Sequence, residues 1–271
     1  MSTLIDPSST QRPSRRSVTR AAAWTVPVVA VAATAPAYAA SPCDSRAGTV
    51  DWANGSRFSR ASASSATYTI PDPDGSGPGE ALTLTISTTF LGSNTQLGDQ
   101  GYNSGNGVRI NDNLRTTTGV GGSGAGATSL QLHQSPRRDG DKVDTWTTTS
   151  NKSITTFTFS REVTGLTFTI RDIDSAFRDF WDGIALAGAA FTSSRANASY
   201  VSGTGALTDP FRSSSNNLGV GDGSTDGNVA ITMPTVTSFE FHYWNLSSTG
   251  SSADGDQKVF LSGLSFDYKP C

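Results

Sequence analysis

Apolar and polar residues alternate along several stretches of the chain. A strand with one buried face has this period of two, because successive side chains point to opposite sides of the sheet. The clearest apolar series are Leu82/Leu84/Ile86, Phe157/Phe159, Leu166/Phe168/Ile170, Phe239/Phe241/Tyr243 and Leu264/Phe266/Tyr268. The residues between them are mostly threonine, serine or charged. The pattern predicts an antiparallel sheet that is buried on one side.

Weaker alternation predicts further strands at 66–70, 129–133, 145–149, 183–186, 198–201 and 229–233. Segments rich in glycine and aspartate, such as 71–75 and 221–223, predict the turns between strands. Residues 259–261 are out of phase with Leu264, so Gly263 is expected to mark a bulge. About ten strands and no helix predict an all-β fold, an antiparallel β-sandwich of jelly-roll type with long Gly/Ser-rich loops.

The composition supports this fold class and removes others. The chain has 28 glycines, and only 3 of its 23 acidic residues are glutamate, so residues that favour helices are scarce. This excludes a helical bundle. The formal net charge of −3 excludes binding to nucleic acid through bulk positive charge.

Residues 1–39 are predicted to be an export signal and not part of the fold. Arg15 and Arg16 precede a mild apolar run at 21–35, and Ala37 and Ala39 fit a cleavage site. The alternative is a membrane anchor, but prolines interrupt the run and it is shorter than the roughly 20 apolar residues that a span needs. The segment resembles a twin-arginine signal of the actinobacterial type, which implies a secreted protein. The mature chain would carry 16 basic and 22 acidic residues.

Residues 40–271 are expected to form a single domain, because no linker-like stretch divides them. The glycine-rich segment 119–126 is the best boundary candidate and is interpreted as one loop. Cys43 and Cys271 lie near the two ends of this domain. An oxidising compartment favours one disulfide between them, since the termini of compact domains often lie close together. A lipidated Cys43 and two free thiols are the alternatives.

The most motif-like stretch is 156–188. Two alternating strands there end in Asp172-Ile173-Asp174, and an acidic loop leads into another strand. This order resembles a segment common in secreted bacterial surface and adhesin-type β-sandwich domains. The resemblance implies an extracellular sandwich and carries no catalytic residue with it.

Four aspartates of this stretch are candidate calcium ligands: Asp172, Asp174, Asp179 and Asp182. Calcium takes about six to eight hard oxygen ligands, and carboxylates on one loop and strand end can supply several. The spacing is not that of an EF-hand loop. The alternative is that these residues cap turns and pair with Arg171 and Arg178. A structural calcium ion is therefore a hypothesis beside a purely structural role.

Glu240, His242 and Trp244 alternate with the apolar series of their strand and so share its other face. An exposed acid, imidazole and indole in line could bind a sugar, with the indole stacked on a pyranose ring. Trp181, in or near a loop, could extend this aromatic platform. The same residues could instead form an acid/base pair or a solvated sheet face.

Catalytic motifs are not recognisable in the sequence. Two histidines are too few for a multi-histidine metal site, and Glu240 lacks the second carboxylate that many sandwich glycosidases carry on one strand. The favoured function is a secreted, non-catalytic binding or adhesion module that engages a glycan or an extracellular protein. A secreted hydrolase or lyase acting on polysaccharide is the alternative, and a self-associating surface-layer component is a third. The mature chain is expected to bind no nucleic acid and to have no membrane span.

Overall fold

The computed structural model describes residues 44–72, 81–91, 99–100, 110–134, 152–247 and 257–270, which belong to one compact unit, Asp44–Cys271. These residues contain seventeen strands and no helix, so nothing in this part of the chain is a helix able to cross a membrane. The strands are β1 (Arg46–Val50), β2 (Phe58–Ser62), β3 (Ser65–Ile70), β4 (Leu82–Leu91), β5 (Asp99–Gln100), β6 (Ile110–Asn111), β7 (Thr116–Thr118), β8 (Thr128–His133), β9 (Lys152–Arg171), β10 (Ser175–Ala176), β11 (Phe180–Ala187), β12 (Thr192–Arg195), β13 (Val201–Ser202), β14 (Arg212–Ser213), β15 (Val229–Asn245), β16 (Lys258–Leu261) and β17 (Leu264–Tyr268). The predicted all-β fold is confirmed.

Two long strands, β9 and β15, form the centre of the largest sheet. They pair antiparallel from Lys152 with Trp244 to Ile170 with Val229. On its other side β9 pairs in turn with β4, β17 and β16. β15 pairs on its other side with β11 and β12.

Shorter strands extend this sheet through antiparallel pairs. β2 and β3 continue from β4, β1 pairs with β17, and β8 and β7 continue from β16. Two further pairs, β5 with β6 and β13 with β14, form separate two-stranded sheets. The large antiparallel sheet confirms the predicted pairing direction, and its connectivity is compatible with a sandwich or jelly roll.

The apolar series of the sequence form the core. Every residue of the five clearest series is buried. Phe239 of β15 stacks between two rings of β9, with its centroid 4.8 Å from that of Phe157 and 5.5 Å from that of Phe168. Alternation therefore identified the buried face of each long strand correctly.

An irregularity interrupts the pairing of β9 and β15 between the alternating series of each strand. Thr158 pairs with Ser238 and Val163 with Val236, so β9 places four residues opposite one residue of β15. The other neighbour of β9 changes from β4 to β17 at the same place. The prediction of separate strands on either side of this irregularity is wrong, because β9 and β15 each continue through it as one strand.

Gly165 of β9 lies opposite Pro234 of β15, between the pairs Thr164–Thr235 and Leu166–Met233. Gly165 has a positive φ of 61°, and Pro234 has no N–H to donate to the ladder. These two irregular residues therefore lie opposite each other. The missing donor of Pro234 and the positive φ of Gly165 thus occur at the same point of the ladder, and the pairing resumes on both sides of it.

Four of the six weaker strands occur, within β3, β8, β11 and β15. The strand predicted at 198–201 is wrong except for Val201. Asn197 Oδ1 accepts a hydrogen bond from the N–H of Ser199, and its carbonyl accepts from Tyr200, which makes a turn of this segment. The strand predicted at 145–149 lies outside the described residues.

Gly263 lies between β16 and β17, where the sequence predicted a bulge. The chain leaves β16, which pairs with β8, and enters β17, which pairs with β1. A Cβ at Gly263 would lie 2.7 Å from the backbone oxygen of Val50. Only glycine lets the chain pass this close. Against β9, Leu261 pairs with Ile170 and Ser265 with Thr167, so three residues lie opposite two, as in the expected bulge.

The first and last strands pair with each other, with Arg46 opposite Tyr268. Cys43 and Cys271 lie outside the described residues, three positions beyond this pair on either side. The predicted disulfide stays a prediction, and its test is given in the Discussion.

Candidate functional site

A short hairpin formed by β10 and the start of β11 carries an exposed turn. Ala176 pairs with Phe180, and the N–H of Asp179 donates to the Ala176 carbonyl at 3.1 Å. Arg178, the third residue of this turn, has a positive φ of 65°. A residue with a Cβ pays about 1 kcal/mol or more for this left-handed conformation. Residues 175–182 are called the tip hairpin below.

Phe177 and Arg178 form an aromatic and cationic pair at the end of the tip hairpin. Phe177 is 57% exposed, more than any other large apolar residue of the described chain. The Arg178 Cζ atom lies 5.4 Å from the centroid of the Phe177 ring, a cation–π distance. Phe180 and Trp181 are partly exposed beside them. The turn thus presents aromatic surface and a guanidinium together.

A neighbouring segment fixes the base of the tip hairpin. Ser175 and Leu218 exchange both backbone hydrogen bonds, at 3.2 and 3.1 Å. The Trp181 indole Nε1–H donates to the Ser213 carbonyl at 3.1 Å. The N–H of Trp181 donates to Asn245 Oδ1 at 3.0 Å. These bonds join the hairpin to β15 and to the segment around β14.

Asp182, the last residue of the tip hairpin, points into the core and hydrogen-bonds the residue that precedes the hairpin. Its fully buried carboxylate accepts hydrogen bonds from the Tyr243 hydroxyl at 2.8 Å and Gln257 Nε2 at 2.9 Å on Oδ1. Its Oδ2 accepts from the N–H of Asp174 at 3.0 Å. Burial raises the pKa of Asp182 well above its ordinary value, and the charge of Asp174 adds to the rise against the three hydrogen bonds. Both oxygens are therefore used in holding the hairpin.

Asp174 and Asp172 lie at the entrance to the hairpin. Asp174 Oδ2 accepts a hydrogen bond from the N–H of Val220 at 3.0 Å, and burial raises the pKa of Asp174 to about 6. Burial raises the pKa of Asp172 to about 7, and the charges of Asp174 and Asp222 contribute to the rise. The carboxylates of this segment therefore favour a proton or a cation near neutral pH.

The predicted calcium set is not assembled as one site. Asp179 lies in the turn, where its carbonyl accepts a hydrogen bond from Asn245 Nδ2 at 3.2 Å. Asp182 faces the core. Within the part of the chain that the structure describes, no group of three His, Cys, Asp or Glu side chains is arranged to hold a metal ion. Calcium binding stays a hypothesis, and a different ligand set is argued below.

β15 places Glu240, His242 and Trp244 on one face, as predicted, but most of that face is covered. His242 is 5% exposed and Trp244 2%, whereas 45% of the Glu240 side chain is exposed. A Cβ at Gly183, the residue opposite Trp244, would lie 2.8 Å from the Leu246 side chain, so Leu246 packs there. The expected exposed sugar-binding face is wrong for His242 and Trp244.

His242 and Glu240 form a close pair, with 2.8 Å between His242 Nε2 and Glu240 Oε2. Burial lowers the pKa of His242, and the hydrogen bond to Glu240 opposes this effect. A neutral ring that donates to Glu240 leaves Nδ1 as the free acceptor. Nδ1 is buried and has no hydrogen-bond partner. A substrate can therefore reach Glu240 but not the imidazole.

A partly open depression of about 330 Å³ lies away from these residues, between Ser45, the end of β17 and residues 161–164 of β9. Its charged lining residues are Arg161, Glu162, Asp267 and Lys269. Two basic and two acidic groups give it no preferred ligand charge. It contains none of the predicted site residues.

Sequence reasoning missed the residues that make the tip hairpin a defined element. Asn217 Oδ1 accepts a hydrogen bond from the N–H of Phe177 at 3.3 Å. Asn245 Oδ1 accepts from the N–H of Trp181, and Gln257 Nε2 donates to Asp182. These polar residues lie 40 or more positions from the residues they hold. The available signal was Phe177, an aromatic residue in an acidic loop outside any alternating series.

Comparisons with protein-family models, with curated proteins and with solved structures found no match.

Proposed function

We propose that the protein is a secreted, non-catalytic binding module whose tip hairpin contacts a glycan outside the cell. The observation that carries the proposal is the exposed Phe177–Arg178 pair on a hairpin with a buried, hydrogen-bonded base. Arg178 keeps a strained backbone conformation that glycine would adopt freely, and such strain clusters at functional positions. The export signal expected at 1–39 is the reason for the extracellular setting.

The chemistry of the tip hairpin suits a carbohydrate. Aromatic rings stack on the apolar face of a pyranose, and a guanidinium donates several hydrogen bonds to hydroxyls. Phe177, Trp181 and Arg178 supply both kinds of group within a few residues. A hairpin fixed before binding loses little conformational entropy when it binds. Buried aromatic and arginine anchors are also typical of protein interfaces, so a protein partner is a second outcome of the test.

Fluorescently labelled protein is expected to bind at least one polysaccharide on an array of neutral and acidic glycans. Phe177→Ala should weaken that binding about tenfold, because the stacking ring is lost. Arg178→Gly should also weaken it while leaving the melting temperature unchanged or higher, since glycine relieves the positive φ. Leu207→Ala, which removes another exposed apolar side chain, is the matched control and should bind like the wild type.

Equal glycan binding by the wild type, Phe177→Ala and Leu207→Ala would contradict the proposed contact surface. If the wild type binds no glycan but binds a protein-coated surface through Phe177, the partner belongs to the protein class.

A secreted polysaccharide hydrolase or lyase is the second candidate, favoured by the Glu240–His242 pair. Glu240 reaches solvent and His242 fixes one of its oxygens, so Glu240 could transfer a proton. Incubation with the same polysaccharides tests this function. Reducing ends that the wild type releases and Glu240→Gln does not would identify a hydrolase, and new unsaturated ends would identify a lyase.

A further inference from the structure

Three side-chain oxygens near the C-terminal end of β9 are buried and have no hydrogen-bond partner: Asp172 Oδ1, Asn228 Oδ1 and Ser123 Oγ. Asn228 is only 8% exposed, and its Nδ2 already donates to the Gly121 carbonyl at 2.8 Å, which fixes the orientation of its amide. A buried acceptor without a donor is costly. All three atoms are oxygens, the ligand type that hard cations prefer.

The three oxygens belong to segments that meet around Asp172. The N–H of Ile173 donates to the Gly227 carbonyl at 3.1 Å, which joins the residue after Asp172 to the residue before Asn228. A Cβ at Gly121 would lie 2.7 Å from the Arg171 Cβ and 2.8 Å from Asn228 Oδ1. The glycine-rich loop therefore packs against the residue before Asp172 and against the Asn228 amide together.

Ser123 lies in the glycine-rich loop, two residues after Gly121. The N–H of Gly122 donates to the Asp222 carbonyl at 2.8 Å, which brings the loop onto the segment that carries Asp222. The charge of Asp222 acts on Asp172, as does that of Asp174. Acidic groups thus surround Asp172 from two segments.

The cationic side chains nearby do not neutralise Asp172 directly. Arg171 Nη1 donates to Ser129 Oγ at 2.7 Å. Lys258 acts on Asp172 at longer range, and the ion pairs found among the described residues do not join it to Asp172. Among the described residues, a proton or a bound cation is therefore what can offset the charge of Asp172.

We propose that Asp172, Asn228 and Ser123, together with carbonyl oxygens of the adjoining loops and water, bind a calcium ion. The mixture of carboxylate, amide and hydroxyl oxygens from separate loops suits calcium better than magnesium, which demands a near-octahedral set and keeps its waters. This β9-end site retains Asp172 of the predicted set and omits Asp179 and Asp182. The β9-end site contains none of the exposed residues of the tip hairpin, so calcium binding and glycan binding can be tested separately.

Thermal unfolding of the chelator-treated protein, with and without millimolar calcium at neutral pH, tests the site. Calcium is expected to raise the melting temperature by about 5 °C and magnesium to raise it much less. Asp172→Asn should abolish the calcium shift. Asp226→Asn is the matched control and should keep it, because Asp226 lies on the neighbouring loop with its carboxylate bonded to Asn197 and Ser224.

A second measurement covers the case in which Asp172→Asn does not fold. Terbium luminescence of the wild type should saturate at one ion per chain and be displaced by calcium. No saturable terbium or calcium binding, an equal shift with magnesium, or a calcium shift that persists in Asp172→Asn would each overturn the proposal.

Discussion

Replacing Asp182 with alanine is expected to lower the free energy of unfolding by about 3 kcal/mol. The substitution leaves the Tyr243 hydroxyl and the N–H of Asp174 without acceptors in a buried region. Gln257 Nε2 keeps its bond to the Trp244 carbonyl, so it contributes less. Relief from burying the carboxyl group offsets only part of this loss. Urea unfolding of the wild type and the variant measures the difference.

Asp182→Asn should lower the free energy of unfolding less, by about 1 kcal/mol. Its amide oxygen can still accept from Tyr243 and Gln257, and only the bond from the N–H of Asp174 is lost, because the amide NH₂ cannot accept it. Asp267→Asn, a substitution at an exposed position in β17, is the control and should have almost no effect. If Asp182→Ala unfolds at the same urea concentration as the Asp267 control, the carboxylate does not hold the hairpin.

Cys43 and Cys271 are expected to form one disulfide in the exported protein. β1 and β17 pair as far as Arg46 opposite Tyr268, so the chain ends that lead to Cys43 and Cys271 leave the sheet beside each other. Each cysteine lies three positions beyond this pair, and neighbouring chain ends favour a disulfide. The bond would close a loop of about 230 residues and stabilise the fold by up to about 5 kcal/mol.

Mass spectrometry of the non-reduced protein should give a mass two hydrogen atoms (about 2 Da) below that of the dithiol form. Reduction, or the double substitution Cys43→Ser and Cys271→Ser, should lower the melting temperature by about 10 °C. Two free thiols in the secreted protein, or a melting temperature that reductant does not change, would count against the bond.

Sequence periodicity predicted the fold class because it records which side chains face inward. All five clear apolar series are buried. Periodicity did not reveal that β9 and β15 continue through their irregular points, where Gly165 lies opposite Pro234. Their compatibility depends on pairing between residues about 70 positions apart, which local sequence does not contain.

The site was only partly predictable for a related reason. Alternation placed Glu240, His242 and Trp244 on one face correctly, but it says nothing about what covers that face. Residues 241–245 are buried on both faces, since Leu246 packs against the side where polar residues suggested solvent. The sequence identified the acidic segment 172–182 as motif-like. It did not reveal that Asp182 is buried and accepts hydrogen bonds from Tyr243, Gln257 and the N–H of Asp174.

The central claim is that buried carboxylates and their hydrogen bonds hold the tip hairpin in one conformation, so that its exposed residues are presented ready to bind. Amide hydrogen exchange of the ¹⁵N-labelled protein tests this most directly. The N–H groups of Asp174, Trp181 and Asp182 donate to Asp182 Oδ2, Asn245 Oδ1 and the Asp174 carbonyl. These three amides are expected to exchange as slowly as those in the middle of β9 and β15. Exchange at the rate of an unstructured chain would contradict the claim.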